Sequence, residues 1–377
     1  MKTGFIVEGI TYANFFSRIV SSLESHDQEN TQFFVRDNAT MVLIQNKLPE
    51  IRTTILPCYS VPESYLFEQE KPILYSKMIK GIEDSFEFVI GGVPFSLCWE
   101  IYLSTFIFMH DFLQKNNIDK VIMCSGCGIY SKAVALACQL HKIQTRFIEL
   151  SNLPEKIFID SEGTNANAMI ARVPEFLDVF PTVDEQQHQI WMESWFSFKS
   201  RPLPQSLKNP LQPLIEKCST QRVLNRKKTY IFVPLQVSND AQLWLYGKHR
   251  NIDTIKYALK IGMESGEHVV VKIHPAETSV QQIKEIIDLK RKFNFVLTME
   301  NSGGLVKNAS QIITVNSTVG LEAMLFKKKV TFLGSSIYKS FDYEMLKKYI
   351  HHYLFSGIDF FSEGHIERDV AYAFMLR

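Results

Sequence analysis

The sequence lacks any uninterrupted apolar run of the length that crosses a bilayer. Its most apolar stretch, residues 88–110, contains Gly91, Gly92, Pro94 and Glu100, whereas a spanning helix needs ~20 consecutive apolar residues. We therefore expect the aromatic side chains of this stretch to fill a core. Contact of the same side chains with a membrane surface is the alternative.

An excess of charge of one sign is also missing. The 41 Lys and Arg residues are matched by 40 Asp and Glu residues, so the charge balance gives no reason to expect a nucleic acid partner. Three short basic runs cover residues 226–228, 290–292 and 327–329. Each lies at a predicted helix or strand end, where solvated charge is usual, and contact with anionic lipid or a polyanionic acceptor is the alternative.

Cysteine is scarce, with six residues in 377. The segment Met1-Lys2-Thr3 leads directly into a strand-like run rather than a secretory leader, so we expect a protein of the reducing cytoplasm. The lone C-x-x-C motif of Cys124 and Cys127 has no second cysteine pair or histidine pair to complete a zinc site. We therefore expect a structural role for it rather than redox or metal chemistry.

The chain is longer than one hydrophobic core usually allows, and its pattern divides it in two. In the second half, short β-branched runs alternate with helical periodicity, as in a parallel, doubly wound sheet. The predicted strands there are 229–233, 268–273, 293–298, 311–315 and 330–333, and the predicted helices are 252–264, 280–292, 304–307 and 319–326. The first half is less regular, with predicted strands at 4–7, 32–35, 41–44, 120–124 and 144–148 and predicted helices at 12–23 and 129–141.

These patterns predict an α/β fold of two Rossmann-like domains facing a cleft. The predicted domains cover residues 1–175 and 229–345. Residues 176–228 are rich in proline and predict a linker that contains a helix. We expect residues 346–377 to form a helical segment that crosses back to the first domain.

A lysine, a histidine and a proline follow the apolar run Val270-Val271 as Lys272-Ile273-His274-Pro275. Ligands of open α/β sheets bind at the carboxyl ends of strands. Lys272 and His274 are two positions apart, so on a continuing strand both would face one phosphate. A core strand that ends in a turn, with His274 only hydrogen-bonded, is the alternative.

A hydroxyl-rich turn, Asn316-Ser317-Thr318, joins a second predicted strand to a helix. Any of these three side chains can cap the helix, and the N–H groups at a helix start attract anions. Capping needs one of the three residues, so two hydroxyls followed by Gly320 favour an anion site. Capping alone is the alternative.

Two segments offer carboxylates after predicted strands. Asp240 in Gln236-Val237-Ser238-Asn239-Asp240 is a candidate catalytic carboxylate, helix cap or turn residue. Asp160 and Glu162 form a D-x-E pair that would hold a divalent metal or flank a turn.

Several motifs between Ser125 and Tyr338 together resemble the Kps-type capsule polysaccharide synthesis proteins, a family of bacterial retaining β-Kdo glycosyltransferases. The motifs are Ser125-Gly126, Phe147-Ile148-Glu149, Leu153-Pro154, Glu162-Gly163-x-Asn165, Gln236-x3-Asp240, His274-Pro275 and Asn316-Ser317-Thr318-x-Gly320-Leu321-Glu322-Ala323. The family shares its His-Pro element with bacterial sialyltransferases. Residues 1–120 and the last 35 or so carry no part of the resemblance.

The resemblance implies a GT-B-like fold and a retaining transfer of β-Kdo from CMP-Kdo to a glycan or glycolipid acceptor in capsule or lipopolysaccharide synthesis. It implies that His274 with Ser317 or Thr318 contacts the CMP phosphate, assisted by Lys272, and that Gln236 and Asn316 complete the donor site. It further implies that Asp240 is the nucleophile and Glu162 the general base, with residues 1–175 on the acceptor side and 229–345 on the donor side.

No metal or cofactor is expected. The expected partners are the CMP-sugar donor and the acceptor, with peripheral contact at the inner membrane or an assembly complex as a further option. The alternatives are a transferase for another CMP-activated nonulosonic acid such as sialic acid, and a non-catalytic protein of the assembly complex that binds a nucleotide or glycan.

Overall fold

A computed structural model of the chain describes residues 1–58, 71–151, 153–199, 211–219, 223 and 229–377. These residues form two compact units. The first unit contains residues 1–172 and 353–377, and the second unit contains residues 173–352. The basic run 226–228 and the proline residues 202, 204 and 210 of the predicted linker lie outside the described residues.

The first unit is built on seven strands with helices between them. Its strands are β1 Thr3–Val7, β2 Thr31–Val35, β3 Arg52–Ile55, β4 Lys120–Cys124, β5 Gln144–Leu150, β6 Lys156–Asp160 and β12 Phe355–Ser356. Its helices are α1 Ile10–Ser21, α2 Ser25–Gln28, α3 Asn38–Lys47, α4 Lys71–Glu83, α5 Phe86–Val89, α6 Phe95–Lys115, α7 Ile129–His141, α8 Met169–Arg172 and α17 Arg368–Leu376. A 3₁₀ turn covers Asn165–Asn167.

The strand order of this sheet is β12-β6-β5-β4-β1-β2-β3, and the five strands from β5 to β3 are parallel. β6 and β12 extend it as antiparallel edge strands. Alternate residues of β1, the middle one of the five parallel strands, are buried on opposite faces of the sheet. Ile6 packs with α4, α6 and α7, whereas Phe5 and Val7 pack with α1 and α17. Helices therefore cover both faces of the sheet, as a doubly wound fold requires.

One predicted strand is wrong. Residues 41–44 lie inside the helix α3, which begins where the Asp37 carboxylate accepts a hydrogen bond from the Thr40 N–H at 2.8 Å. Only Thr40 and Ile44 of this helix are buried, one turn apart. A four-residue apolar run does not distinguish a strand from a helix by periodicity, and the cap at Asp37 was the signal that favoured the helix.

The apolar stretch at residues 88–110 forms α5 and most of α6. Pro94 precedes α6 as its N-cap, so it starts this helix rather than interrupting one. Tyr102, Phe106 and Met109 are buried in the core against α7. None of the helices in the described part of the chain combines the length and the hydropathy needed to cross a bilayer.

The second unit contains a five-stranded sheet. Its strands are β7 Tyr230–Pro234, β8 His268–Lys272, β9 Val296–Leu297, β10 Gln311–Thr314 and β11 Lys329–Phe332. Its helices are α9 Glu185–Lys199, α10 Gln212–Cys218, α11 Ala241–Tyr246, α12 Asn251–Ser265, α13 Val280–Lys292, α14 Ser302–Asn308, α15 Thr318–Leu325 and α16 Tyr343–Lys348. The 3₁₀ turns Pro174–Val179 and Ile337–Ser340 and the π-helical turn Tyr349–Tyr353 complete the described elements.

All five strands of this sheet are parallel, in the order β11-β10-β7-β8-β9. Ile231 and Val233 face α12 and α13, whereas Tyr230 and Phe232 face α14 and α15. Listed from the opposite edge, the order is β9-β8-β7-β10-β11, which matches the order β3-β2-β1-β4-β5 of the parallel strands in the first unit. Both are the strand order of a Rossmann fold. The predicted α/β class with two Rossmann-like sheets is therefore confirmed.

Candidate functional site

The topology of the second unit brings three of the predicted segments to one edge of its sheet. The chain runs from β7 through β8 to β9 on one side and continues with β10 and β11 on the other side of β7. The direction of winding therefore reverses between β7 and β10, and such switch points at the carboxyl ends of strands are where open α/β sheets bind ligands. Asp240, His274 and Ser317 follow β7, β8 and β10, which are adjacent strands.

Gln236 and Asn316 bridge this switch point. The Gln236 Nε2 donates to the Asn316 Oδ1 at 2.9 Å, and the Asn316 backbone N–H donates to the Gln236 Oε1 at 3.2 Å. Both side chains are buried. The Asn316 Nδ2 also donates to the Gln242 carbonyl at 2.8 Å. The two predicted donor-binding amides therefore fix the loops after β7 and β10 to each other.

Asn251 continues this network. Its Oδ1 accepts from the Gln236 N–H at 3.3 Å, and its Nδ2 donates to the Gln236 carbonyl at 2.8 Å. Asn251 is the first residue of α12 and is buried. A helix start thereby holds the backbone of the loop that carries Asp240.

Asp240 is the N-cap of α11. Its Oδ1 accepts from the Gln242 N–H at 2.8 Å, so Asp240 caps a helix, which is one of the three roles considered for it. The side chain is half-buried beside Gln236 and His274. Burial raises the pKa of this carboxyl above its ordinary value, opposed by the Gln242 hydrogen bond and by His274. A carboxylate that is poorly hydrated yet held by one hydrogen bond is suited to nucleophilic attack.

His274 follows β8 in a short turn. Its Nδ1 accepts a hydrogen bond from the Ala276 N–H at 3.1 Å. An acceptor nitrogen is unprotonated, so the neutral ring carries its proton on Nε2. The side chain is half-buried. His274 can therefore present an N–H donor to an anion on the side of the ring away from its own turn.

Lys272 is the last residue of β8, two positions before His274, and its amine contacts the protein. The Nζ donates to the Glu300 carbonyl at 2.8 Å and to the Ser302 Oγ at 2.9 Å. Burial lowers the pKa of this amine to about 8, opposed by the nearby carboxylate of Glu322. Lys272 thus fixes the segment between β9 and α14, and any role toward a ligand would be through its charge.

Ser317 is the N-cap of α15, where its Oγ accepts from the Val319 N–H at 3.2 Å. Ser317 and Thr318 are both half-buried. A neutral hydroxyl at this position leaves the positive end of the helix dipole uncompensated. Gly320 was predicted to allow close approach to a ligand, but the contact that requires a glycine is with the protein itself. A Cβ there would come within 2.6 Å of the Phe332 Cζ. The glycine therefore allows α15 to pack on β11.

Glu277 is a site residue that the sequence analysis missed. Its Oε2 accepts from the Ser238 N–H at 2.7 Å, and its Oε1 accepts from the Ser238 Oγ at 3.0 Å and the Ser279 N–H at 2.8 Å. Glu277 is buried. Its position three residues after His274, in the run His-Pro-Ala-Glu, was the available signal. It joins the His274 turn to the loop that leads to Asp240.

Glu162, the second predicted catalytic carboxylate, belongs to the first unit. It lies in the turn after β6, pairs with Arg172, and its side chain is 44% exposed. Its neighbour Asp160 is buried and has a structural role: its Oδ1 accepts from the N–H groups of Glu162 at 2.8 Å and Gly163 at 3.2 Å, and its Oδ2 accepts from the Tyr353 hydroxyl at 2.7 Å. Asp160 thus stabilises the turn, which is one of the two roles considered for the D-x-E pair.

No group of three or more His, Cys, Asp and Glu side chains with the spacing of a metal site occurs among the described residues. Cys124 and Cys127 are buried thiols. The Cys124 Sγ contacts the Glu8 N–H at 3.4 Å and the Ile6 carbonyl at 3.7 Å. These contacts match the structural role predicted for the motif.

The fold and this sheet edge define an α/β protein with two Rossmann-like sheets, and sequence comparison adds to this description. Residues 210–341 match the model of the family described as capsule polysaccharide biosynthesis protein. This segment includes the Gln236–Asn316 bridge, Asp240, His274 and Ser317. The predicted resemblance to the Kps-type capsule polysaccharide synthesis proteins is therefore confirmed, over this segment.

Two curated proteins are similar in sequence. Protein FixF of Sinorhizobium fredii (strain NBRC 101917 / NGR234) is 26% identical over 244 residues, covering 61% of this chain and 52% of FixF. The chain thus spans about half the length of FixF. The capsule polysaccharide export protein KpsS of Escherichia coli is 20% identical over 275 residues, covering 61% of this chain and 70% of KpsS.

Solved structures show weaker overall similarity. The β Kdo 2,4 transferase structure of Thermosulfurimonas dismutans KpsC is 14% identical, with a TM-score of 0.42, and covers 68% of this chain and 87% of that one. The UDP-GlcNAc 2-epimerase of Methanocaldococcus jannaschii is 12% identical, with a TM-score of 0.36, and covers 100% of this chain and 99% of that one.

Proposed function

We propose that the protein is a glycosyltransferase that moves β-Kdo from CMP-Kdo to a glycan or glycolipid acceptor in capsule or lipopolysaccharide synthesis, with retention of configuration. One observation carries the proposal: within the segment that matches the capsule polysaccharide family, the Gln236–Asn316 bridge holds the loops of Asp240 and Ser317 together at the switch point of the sheet. The six free thiols support a reaction in the cytoplasm.

The phosphate of CMP is the leaving group, so the donor site must stabilise negative charge. His274 Nε2–H would donate to a phosphate oxygen, and Ser317 with Thr318 would supply hydroxyl donors at the positive end of α15. Lys272 would add charge from behind the loop. The donor side is thus assigned to neutral and cationic groups, and no step needs a metal.

Asp240 is the proposed nucleophile. Its carboxylate would attack the anomeric carbon while the bond from that carbon to the phosphate oxygen breaks, and the electron pair would leave with CMP. The acceptor hydroxyl would then attack the same carbon, the bond to Asp240 would break, and a base would take the hydroxyl proton. Two displacements at one carbon retain its configuration. Glu162 is the base that the family resemblance implies.

Asp240→Asn tests this assignment without disturbing the helix, because Asn and Asp are equally good N-caps. We expect the rate of transfer from CMP-Kdo to fall by at least about 10³-fold, and CMP affinity measured by calorimetry to stay close to native. Intact-mass spectrometry of the native chain with CMP-Kdo should show a sugar adduct that Asp240→Asn lacks.

Asp288→Asn is the matched control, since Asp288 is an exposed acid of the same unit paired with Arg291. Near-native transfer by Asp240→Asn would show that the nucleophile is another group. Thermal stabilisation by CMP-sialic acid but not by CMP-Kdo would move the proposal to another nonulosonic acid. CMP binding without turnover across an acceptor panel would favour a non-catalytic member of the assembly complex.

A further inference from the structure

Trp244 is an exposed indole beside the loop that carries Asp240, and both belong to the second unit. It lies in α11, where its backbone N–H donates to the Asp240 carbonyl at 3.2 Å. Its Nε1 donates to the carbonyl of Ser238, two residues before Asp240, at 2.7 Å. The indole therefore reaches back toward the start of the helix, as long helical side chains do, and flanks the loop from Ser238 to Asp240.

The indole is held in one orientation although it is exposed. The guanidinium carbon of Arg250 lies 4.2 Å from the centroid of the Trp244 ring. Arg250 is itself fixed, because its Nη1 donates to the carbonyls of Leu243 at 2.9 Å and Gly247 at 2.6 Å. A surface side chain usually keeps its rotamer freedom. Here a stacked cation on one face and a hydrogen bond at the edge restrict the ring before any ligand arrives.

The remaining surface of the ring is open to solvent. Trp244 is 38% exposed, although Arg250 covers one face and Ser238 accepts from its edge. No aromatic ring of the described residues stacks on it. In the adjoining loop, Asn239 is exposed and Asp240 is half-buried. Solvent therefore reaches both the ring and the loop beside it, which leaves space for a ligand there.

The position of the indole selects the part of the substrates that it can contact. A large aromatic ring at the surface favours a ligand with an apolar face. In CMP-Kdo the Kdo ring is bonded to the phosphate, whereas the base is separated from the phosphate by the ribose. A ring bound beside the proposed nucleophile Asp240 is therefore a sugar rather than the base. Either the donor sugar or the acceptor sugar meets this condition.

We propose that Trp244 is the stacking platform for a sugar ring at the transfer site. The C–H groups on one face of a pyranose ring pack on the open face of the indole, and the hydroxyl groups stay in contact with water. This inference rests on the proposed function and adds a binding residue to it. Stacking orients the anomeric carbon of the donor, or the acceptor hydroxyl that attacks it, relative to the Asp240 carboxylate.

Three substitutions separate the ring from its hydrogen bond. Trp244→Phe keeps an aromatic face and loses the Nε1 donor, whereas Trp244→Leu and Trp244→Ala lose both. We expect kcat/KM for transfer to fall by ~10-fold or more in the Leu and Ala variants and by less than ~3-fold in Trp244→Phe. Tyr257→Ala is the matched control, since Tyr257 is an exposed aromatic residue of α12 in the same unit.

Calorimetry distinguishes the donor sugar from the base and from the acceptor. The Asp240→Asn chain serves as the background, because it is expected not to consume the donor. Adding Trp244→Ala should leave the dissociation constant of CMP within ~2-fold and raise that of CMP-Kdo by ~10-fold if the donor sugar stacks on the ring. If the acceptor sugar stacks, CMP-Kdo should bind as before, and the KM of the methyl glycosides of Kdo and galactose should rise in the active Trp244→Ala chain.

Tryptophan fluorescence provides a second measurement that does not depend on the Ala and Leu variants being stable. The chain has four tryptophans, so the difference between the native and Trp244→Phe spectra isolates the emission of Trp244. CMP-Kdo, or the methyl glycosides, should change this difference spectrum. CMP alone should leave it unchanged.

Equal losses of CMP and CMP-Kdo affinity in Trp244→Ala would assign the indole to the base and overturn the sugar assignment. Native affinity for CMP-Kdo together with a native KM for the glycosides would overturn it as well. So would a loss in Trp244→Phe as large as in Trp244→Ala, because the indole would then act by holding Ser238. All three outcomes leave the proposed function standing, whereas absence of CMP release from CMP-Kdo by the native chain would overturn that function and the transfer-site role of Trp244 with it.

Discussion

The five parallel strands of the two sheets have the same order, but the side chains at their switch points differ. In the second unit, the loops after β7, β8 and β10 carry amide, imidazole and hydroxyl groups beside the carboxylates of Asp240 and Glu277. In the first unit, the loops after β1 and β4 adjoin the carboxylates of Glu8 and Glu87. The shared fold supplies a position for a ligand, and the residues at the strand tips decide which ligand it is.

The helix that follows the reversal of each sheet makes the difference explicit. α15 begins with the Ser317 hydroxyl as its cap, whereas the first N–H of α7 is bonded to the Glu87 carboxylate. A hydroxyl leaves the partial positive charge of a helix start available to an anion, and a carboxylate neutralises it. The glycine-rich loop Ser125–Gly128 would suit a phosphate by sequence, but the protein places its own acids there.

The largest expected effect concerns CMP affinity. His274→Ala removes a donor to a charged phosphate, which is worth about 1.5–3 kcal/mol, so the dissociation constant of CMP should rise by ~10–100-fold. Glu8→Gln in the first unit should leave it unchanged. Isothermal calorimetry with CMP measures both.

His268→Ala is the matched control, because His268 is the exposed residue at the opposite end of the same strand β8. Equal losses of affinity in the His274 and Glu8 variants would break the comparison, since the anion would then depend on both sheet edges.

A pair of glycine substitutions should have the next largest effect. Gly320→Ala forces a Cβ against the Phe332 ring and should cost about 1–3 kcal/mol of unfolding free energy. It should also weaken CMP binding, because α15 must shift. Gly128→Ala forces a Cβ against Glu8 and should destabilise the chain without changing CMP affinity.

Adding Phe332→Leu to Gly320→Ala tests whether the Phe332 ring causes the loss of stability, with the free energy of unfolding measured by denaturant. It should recover part of the lost stability by making room for the new methyl group. A double variant no more stable than Gly320→Ala would show that the aromatic ring is not what requires the glycine.

The sequence predicted the parallel strands well because they are buried on both faces. β4, β7, β8 and β10 contain continuous apolar runs. Polar residues follow the runs of β7, β8 and β10 within a few positions, so the tips bearing Asp240, His274 and Ser317 could be placed at one edge. The prediction of a strand at residues 41–44, which lie in α3, was wrong because a run of four apolar residues does not show whether the period is that of a strand or of a helix. The predicted elements omit the helices α4 to α6, although Leu74, Met78 and Ile82 of α4 are buried at helical spacing.

The remaining acids near the strand tips could not be found from local pattern. Glu277 and Glu8 are single acids shortly after strands, where acidic residues commonly belong to ordinary turns. The position of Glu8 at a switch point follows only from the strand order, in which β1 and β4 are neighbours and the direction of winding reverses between them. Asp160 shows the converse, because a promising carboxylate proved to be bound to backbone N–H groups of its own turn.

The smallest expected effect is an opposite response of the two units to mild acid. His188 in the second unit is buried, with its Nδ1 3.0 Å from the His351 Nε2 and its Nε2 3.1 Å from the Tyr343 hydroxyl. Burial lowers the pKa of His188. A lowered histidine pKa stabilises the folded state above the unfolded value of about 6.5, and that stability is lost as the pH falls, by up to about 1.4 kcal/mol per pH unit for one proton.

The contribution of Glu8 to the stability of the first unit changes with pH in the opposite direction. Its pKa is raised from 4.5 to about 7, so the folded state holds a proton that the unfolded chain releases, and its contribution to stability is lost as the pH rises through 7 and regained as the pH falls toward 4.5. As the pH falls from about 7.5 to about 5.5, hydrogen exchange corrected for intrinsic rates should show protection that rises in β1 and β4 and falls around α9. His188→Gln should flatten the response of the second unit alone, and Glu8→Gln that of the first. A change of the same sign in both units that neither variant alters would mean that the two buried groups do not set the acid response.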